Sequence, residues 1–300
     1  MSRTRTRQKA IDLTRIILVY LAAAAVAWFI VRKFSHLHPY LVVGVADVAA
    51  TVLVFLFSML FNNSSVYDPY WSAAPVPIAL FYIIAVRPPD AVVGLRQIVL
   101  LILIFVWGAR LTWNWIRRWD GMGHEDWRYA NFRERFGNLY WLVSFGAIHF
   151  VPTVMVYLGC LTMLPALGIA GGANVFFDTA GYIVVLTAIG LETVSDRQMQ
   201  RFLSEADQRG HIMDRGLWGL MRHPNYLGEI LFWWGMWLFA VSVAPGWWWT
   251  VIGPVSITLL FYFISIPLME KRLIKRREGY AQYREDVPAL LPFRFKRRND

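Results

Sequence analysis

Long apolar runs recur along the chain at 16–31, 41–61, 73–86, 91–113, 139–164, 174–191, 230–244 and 247–268, with polar or charged residues between them. Several approach the roughly 20 residues an α-helix needs to cross a bilayer. The first, third and seventh runs are short and require snorkelling ends or local thinning of the bilayer. The pattern predicts an all-α fold, a polytopic transmembrane helical bundle of eight spans, with seven as the alternative count. The first run follows Arg3, Arg5, Arg7, Lys9 and Arg15, and its alanines at 22–27 could pass for a signal-peptide cleavage site. An uncleaved anchor is the expectation, because polytopic proteins commonly start this way.

Composition turns these runs into a statement about solvent. Of the 300 residues 57% are hydrophobic and only 17% charged, far from an ordinary soluble surface and expected of an integral membrane protein with lipids as neighbours. Lys and Arg sort by side when eight spans are drawn with both termini inside. Of the 30, 25 fall in inner segments, four outside at Arg32, Lys33, Arg87 and Arg96, and Arg110 lies within a span. That is the positive-inside pattern, and it supports the even count of spans with both termini cytoplasmic. Basic loops facing anionic headgroups account for the net charge of +10, so no nucleic-acid partner is expected. Cys160 is alone, which leaves no internal disulfide and no cysteine-based metal site. His36 and His38 have a ligand-like spacing without a third partner, and no metal is expected.

Candidate chemistry concentrates in a few stretches. The first is Gly216-Leu-Trp-Gly-Leu-Met-Arg-His-Pro-Asn-Tyr-Leu-Gly-Glu229, polar and basic, which runs without a break into the apolar segment from 230. Pro224 suits the first position of a helix, and Asn225 and Glu229, four apart, share a face of it. An acid on a membrane helix is costly and usually functional, and the N–H groups of a helix start attract phosphate or carboxylate. Upstream, residues 190–201 end a span with Asp196, Arg197 and Arg201, a candidate pocket for a phosphorylated cofactor. The arginines would bind phosphates, with Arg222 added, and the acid a ribose hydroxyl or carboxamide. Tyr67, Asp68, Tyr70 and Trp71 place two phenols, an acid and an indole together, a candidate substrate contact. Arg110 and Asn114 share a helical face. His124-Glu-Asp-Trp-Arg-Tyr129 lacks the second histidine of a zinc-protease helix, because Arg128 stands there. Near the end of the chain Tyr283 and the segment Val287-Pro-Ala-Leu-Leu-Pro292 look like a cover folded back on something.

Ser195-Asp196, Gly210, Gly216-Leu-Trp, Arg222-His-Pro-Asn-Tyr-Leu-Gly-Glu229 and the terminal Tyr283…Pro-Ala-Leu-Leu-Pro together resemble the steroid 5α-reductase family. The closest likeness is to its bacterial membrane branch, DUF1295, which also carries Tyr-Asp-Pro-Tyr-Trp and His-Glu-Asp-Trp-Arg-Tyr segments. The resemblance implies residues 1–40 as a basic tail and an additional span, and residues 41–300 as a reductase-like membrane domain whose C-terminal core is 190–292. It implies a cytosolic-side cavity for NADPH that opens laterally to lipid for a hydrophobic enone. Asn225 and Glu229 match positions at the nicotinamide end, and Asp196 matches an acid that binds the cofactor. Arg197, Arg201, Arg222, Tyr226 and Tyr283 complete the expected cofactor set. The family's Asn four residues before that Asp is Glu192 here, and its steroid-holding Glu and Tyr have no secure equivalents, so a steroid is not implied.

The expected reaction is hydride transfer from NADPH to the β-carbon of a carbonyl-conjugated double bond in a lipophilic substrate, then protonation at the α-carbon. A neutral phenol or protonated acid would stabilise the developing enolate oxygen, with Tyr67, Asp68 and Tyr70 as the catalytic candidates. No G-x-G-x-x-G occurs, so helix ends, loops and arginines would hold the cofactor. The rival is an S-adenosylmethionine-dependent methyltransferase, because isoprenylcysteine carboxyl methyltransferases share an Arg-His-Pro-x-Tyr-x-Gly stretch and a later Glu-x-Arg-Leu, here at 270–273. A non-catalytic lipid-binding scaffold or a transporter is the third reading, and no inverted repeat supports transport.

Overall fold

The computed structural model describes residues 3–86, 92–169, 171–205, 208 and 210–292. Arg87, Arg209, the start of the fourth apolar run and the basic tail from 293 lie outside the described residues. The described residues form helices joined by turns and loops, with no strand among them, and eight helical segments among them are long and apolar enough to cross a membrane. The all-α expectation holds. The protein is an integral membrane protein, and it exposes large apolar side chains while burying polar ones alongside an apolar core. Leu18, Leu21, Trp28 and Phe29 are exposed, while Ser58, Ser64, His149, Thr153, Glu192 and Ser195 are buried. In lipid the polar groups must find partners inside the protein.

The chain divides into two compact units, Met1–Ala170 and Gly171–Asp300. In the first, α1 (Arg3–Lys33) begins well before its apolar run, because Arg, Gln, Lys and Ala are good helix formers. Asp12 on α1 is buried and accepts from the Met122 backbone N at 3.0 Å. Helix α2 (Pro39–Leu60) opens on a proline, and His38 Nδ1 accepts from Tyr40 N at 3.3 Å, so that histidine is a helix cap. Val19 and Ala23 of α1 pack with Ala50 and Val54 of α2 and with Val66, Tyr67 and Tyr70 of the next segment. That third span is broken into a 3₁₀ turn (Ser64–Tyr67), two short helices (Tyr70–Ala73 and Pro75–Phe81) and a π turn (Tyr82–Val86). Pro69, Pro75 and Pro77 each remove a ladder donor there. Helix α3 (Leu95–Arg118) forms the fourth span, α4 (Trp127–Phe136) is capped by Asp126, and α5 (Val151–Cys160) follows a π turn at Ser144–Phe150.

The second unit is built on α6 (Val175–Ser204) and α7 (Pro224–Val243). Asn174 Oδ1 caps α6 by accepting from Phe176 N and Phe177 N at 3.0 and 3.3 Å. Three glycines bring the two helices into direct contact. A Cβ on Gly181 would meet Phe239, one on Gly235 would meet Val185, and one on Gly228 would meet Glu192 and stand 2.8 Å from the Ala188 carbonyl oxygen. Small residues are the usual route to close packing where lipid offers no hydrophobic drive. A last span ends in α8 (Ile266–Arg276), and a short α9 (Tyr280–Asp286) leads into a strap at 287–292.

Candidate functional site

In the second unit the 216–223 loop is sewn to α6 beside Asp196. Gly216 has φ +60° and lies against the Gln198 side chain, a conformation and an approach that suit glycine. Gln198 Oε1 accepts from Leu217 N at 3.1 Å, and Trp218 Nε1 donates to the Ser195 carbonyl at 3.1 Å. The C-terminal strap then closes the loop from the other end. Arg222 N and His223 N donate to the carbonyls of Pro288 and Ala289 at 2.9 and 3.0 Å. Tyr283 donates to the Trp218 carbonyl at 2.5 Å, and burial pushes its phenol up to about 12, so it remains a donor at ordinary pH.

Arg222, expected on a cofactor phosphate, is committed elsewhere. Its Nε donates to Glu270 Oε1 at 2.7 Å and its Nη1 to the carbonyls of Arg284, at 2.7 Å, and of Val287. His223 Nε2 shares Glu270 Oε1 at 2.9 Å, and Arg284 pairs with Oε2 at 3.1 Å. Arg222, His223 and Glu270 are all buried. A buried charge set of this kind holds geometry, because removing one member strands the others. The start of α7 is also less open to anions than the sequence suggests. Pro224 has no N–H, and those of Tyr226 and Leu227 both turn back to the His223 carbonyl at 3.1 Å.

What remains at this end of α7 is an amide and an acid. Asn225 is half-buried, and its side chain makes no hydrogen bond among the described residues. Glu229, one turn on and buried, accepts from Trp233 Nε1 at 3.2 Å. Between them Tyr226 stacks on His223 with centroids 5.2 Å apart and planes at 10°, and its ring also lies 4.8 Å from that of Phe261. On α6, Glu192 lies against Gly228, Asp196 is buried one turn after Glu192, and Arg197 and Arg201 are exposed one turn apart. Asn225, Tyr226 and Glu229 thus share one helix end, and Arg222 and Tyr283 hold the loop and strap beside it. In the sequence Glu270 stands out only as the first residue of the Glu-x-Arg-Leu stretch, and Gln198 carries no mark at all. The partners of both lie on other elements.

In the first unit the two upstream motifs are partners of one another. Glu125 Oε1 accepts from Ser64 N at 2.8 Å and from the Tyr140 hydroxyl at 3.0 Å, with Arg133 beside it at 3.0 Å. Asp126 N donates to Ser65 Oγ at 2.9 Å, and Tyr129 donates to Asp68 Oδ1 at 2.5 Å. The expected catalytic trio is split by this arrangement. Tyr67 and Tyr70 are stacked 5.2 Å apart; Tyr67 OH is bonded to Thr153 Oγ1 at 2.7 Å, and Tyr70 donates to Asp47 Oδ1 at 2.7 Å. Asp68 faces α4 instead.

The sequence matches the model of the family described as "Protein of unknown function (DUF1295)" over residues 54–287. The chain belongs to the DUF1295 family. The match begins within α2 and ends in the strap, so it takes in both upstream motifs and the Asp196–Glu229 region. This DUF1295 protein is also similar to an uncharacterized protein of Schizosaccharomyces pombe. The two are 24% identical over 254 residues, which covers 77% of this chain and 73% of the relative. No solved structure matches the chain.

Proposed function

We propose that this DUF1295 protein is a membrane-embedded, NADPH-dependent reductase of a carbonyl-conjugated C=C bond in a lipophilic substrate, steroid- or isoprenoid-like. The observation that carries the reading is Asn225, a half-buried amide with no hydrogen bond to its side chain among the described residues, one turn from the buried Glu229. An amide and a carboxylate side by side offer the donors and acceptors that complement a carboxamide. The rest of the site fits the same ligand in its chemistry. Arg197 and Arg201 suit phosphates, and Asp196 suits a ribose hydroxyl. When bound, NADPH supplies a hydride to the β-carbon of the enone.

The protein's part is to hold and orient. Asn225 and Glu229 grip the carboxamide, and Tyr226, braced on His223, forms a flat wall beside them. Arg222 and Tyr283 act through the loop and strap as positioning residues. Stabilising the enolate oxygen calls for a neutral phenol or a protonated acid, the kind of group that Tyr67, Asp68 and Tyr70 carry. The distribution of Lys and Arg supports an orientation with both termini in the cytoplasm, and the resemblance to the bacterial membrane branch suggests an inner membrane as the location.

One observation favours a second reading. Glu270, which opens the Glu-x-Arg-Leu stretch, touches both Arg222 and His223, so the two halves of the methyltransferase-like pattern meet. Thermal unfolding of the detergent-purified protein separates the two. At a hundredfold excess over Kd a ligand adds about 2.7 kcal/mol, and NADPH is expected to raise the melting temperature while S-adenosylmethionine leaves it unchanged. Stabilisation by S-adenosylmethionine alone overturns the reductase reading. Stabilisation by neither supports a non-catalytic lipid-binding protein.

A further inference from the structure

Helix α3 carries a groove that the chemistry above leaves unused. Phe105, Ala109, Thr112 and Trp113 line it from one face of α3, and Ser72 and Val76 close it from the broken third span. Gly108 lets the two segments touch, since a Cβ there would stand 2.6 Å from the Ser72 carbonyl oxygen. Ser72 Oγ and Thr112 Oγ1 satisfy one another at 2.9 Å. The volume is about 290 Å³, just under the range of pockets that enclose a whole small molecule, and it suits a single acyl chain. Phe105 and Trp113 are 60% and 59% exposed, so the groove faces the surrounding lipid.

Ala109, Trp113 and Arg117 follow at four-residue steps, which puts Arg117 at the end of the groove. Arg117 is exposed and makes no hydrogen bond or ion pair among the described residues, and α3 ends one residue later. Apolar lining, interfacial tryptophan and free cation therefore follow one another in the order of a lipid's chain, glycerol region and headgroup. An acyl chain gains little by leaving bilayer for groove, because both are equally apolar. Selection must come from the headgroup. We propose that this groove is a binding site for an anionic phospholipid, with one acyl chain along Phe105 to Trp113 and the phosphate-bearing headgroup paired with Arg117.

The test is native mass spectrometry of the full chain titrated with phosphatidylglycerol and phosphatidylcholine of identical acyl chains. Wild type is expected to prefer phosphatidylglycerol about fivefold, the effect of one basic residue at an anionic surface. Arg117→Gln is expected to abolish the preference. Ala109→Phe, which fills the groove, is expected to weaken binding of both lipids. Equal binding of the two lipids by wild type overturns the proposal, and so does a preference that survives in Arg117→Gln. If Ala109→Phe keeps the lipid preference but changes affinity for an added lipophilic enone, the groove is a substrate entry and the proposal falls. Should Ala109→Phe not fold, Arg117→Gln decides alone.

Discussion

Replacing Glu270 by alanine tests how the candidate site is held. The carboxylate accepts from Arg222 Nε and His223 Nε2 at 2.7 and 2.9 Å and forms an ion pair with Arg284 Nε at 3.1 Å. The side chains of Glu270 and Arg222 are 5% and 9% exposed, whereas that of Arg284 is 54% exposed. Removing the acid leaves Arg222 with carbonyl acceptors and no counter-charge, and stranding a buried partner costs about 3–5 kcal/mol. The exposed Arg284 pair contributes about 0–1 kcal/mol of its own. Glu270→Ala should therefore lower the melting temperature by on the order of 10 °C, with Arg284→Ala close to wild type. Glu270→Gln keeps the volume and one acceptor and should fall between. Because the strap hangs on the same cluster, limited trypsin digestion should cut near Arg284 faster in Glu270→Ala, and NADPH binding should weaken with it. Equal melting temperatures for Glu270→Ala and Arg284→Ala would refute the reasoning, since the buried pair would then contribute nothing.

Asn225→Ala should melt like wild type, because the side chain makes no hydrogen bond among the described residues, and should lose about tenfold in NADPH affinity, the value of one or two hydrogen bonds. Glu229→Gln should weaken the same binding while the protein stays folded, as measured by fluorescence titration alongside thermal unfolding. Gly228→Val should destabilise by about 1–3 kcal/mol, since its side chain meets Glu192 and the Ala188 carbonyl; a neutral result would mean that α6 and α7 are not in contact there. Tyr283→Phe should cost about 0.5–1.5 kcal/mol. Burial raises the Tyr283 phenol from 10.0 to about 12, so its contribution is complete below pH 10 and is lost as pH rises through 12. The wild-type advantage over Tyr283→Phe should accordingly be constant at neutral pH and shrink across that alkaline window in a pH series of unfolding curves.

The membrane spans were legible because hydropathy reports contact with lipid directly. Their ends were not. Helix α1 starts at Arg3 and α7 at Pro224, several residues before the corresponding apolar runs, because a helix that leaves the bilayer remains helical as long as its residues favour it. The helix start at Pro224 and the shared helix of Asn225 and Glu229 were legible in the sequence, because proline position and four-residue spacing are local signals. The contact of Glu270 with Arg222 was not, because it joins residues far apart and the Glu-x-Arg-Leu stretch does not say what its acid touches. The same holds for Tyr129 and Asp68, which were visible as members of two motifs and not as partners. Tyr67 and Tyr70 stand out in the sequence as phenols, and the structure gives each hydroxyl a buried partner, Thr153 and Asp47, that the sequence does not mark.

Hydride transfer itself is the most direct measurement. The purified protein is incubated with a lipid extract of the source organism and NADPH tritiated at the transferable C4 position, and the lipid fraction is counted. The account predicts tritium in lipid with wild type and little with Glu229→Gln or Asn225→Ala. Absence of label with wild type, together with lipid labelling from methyl-tritiated S-adenosylmethionine, would contradict it.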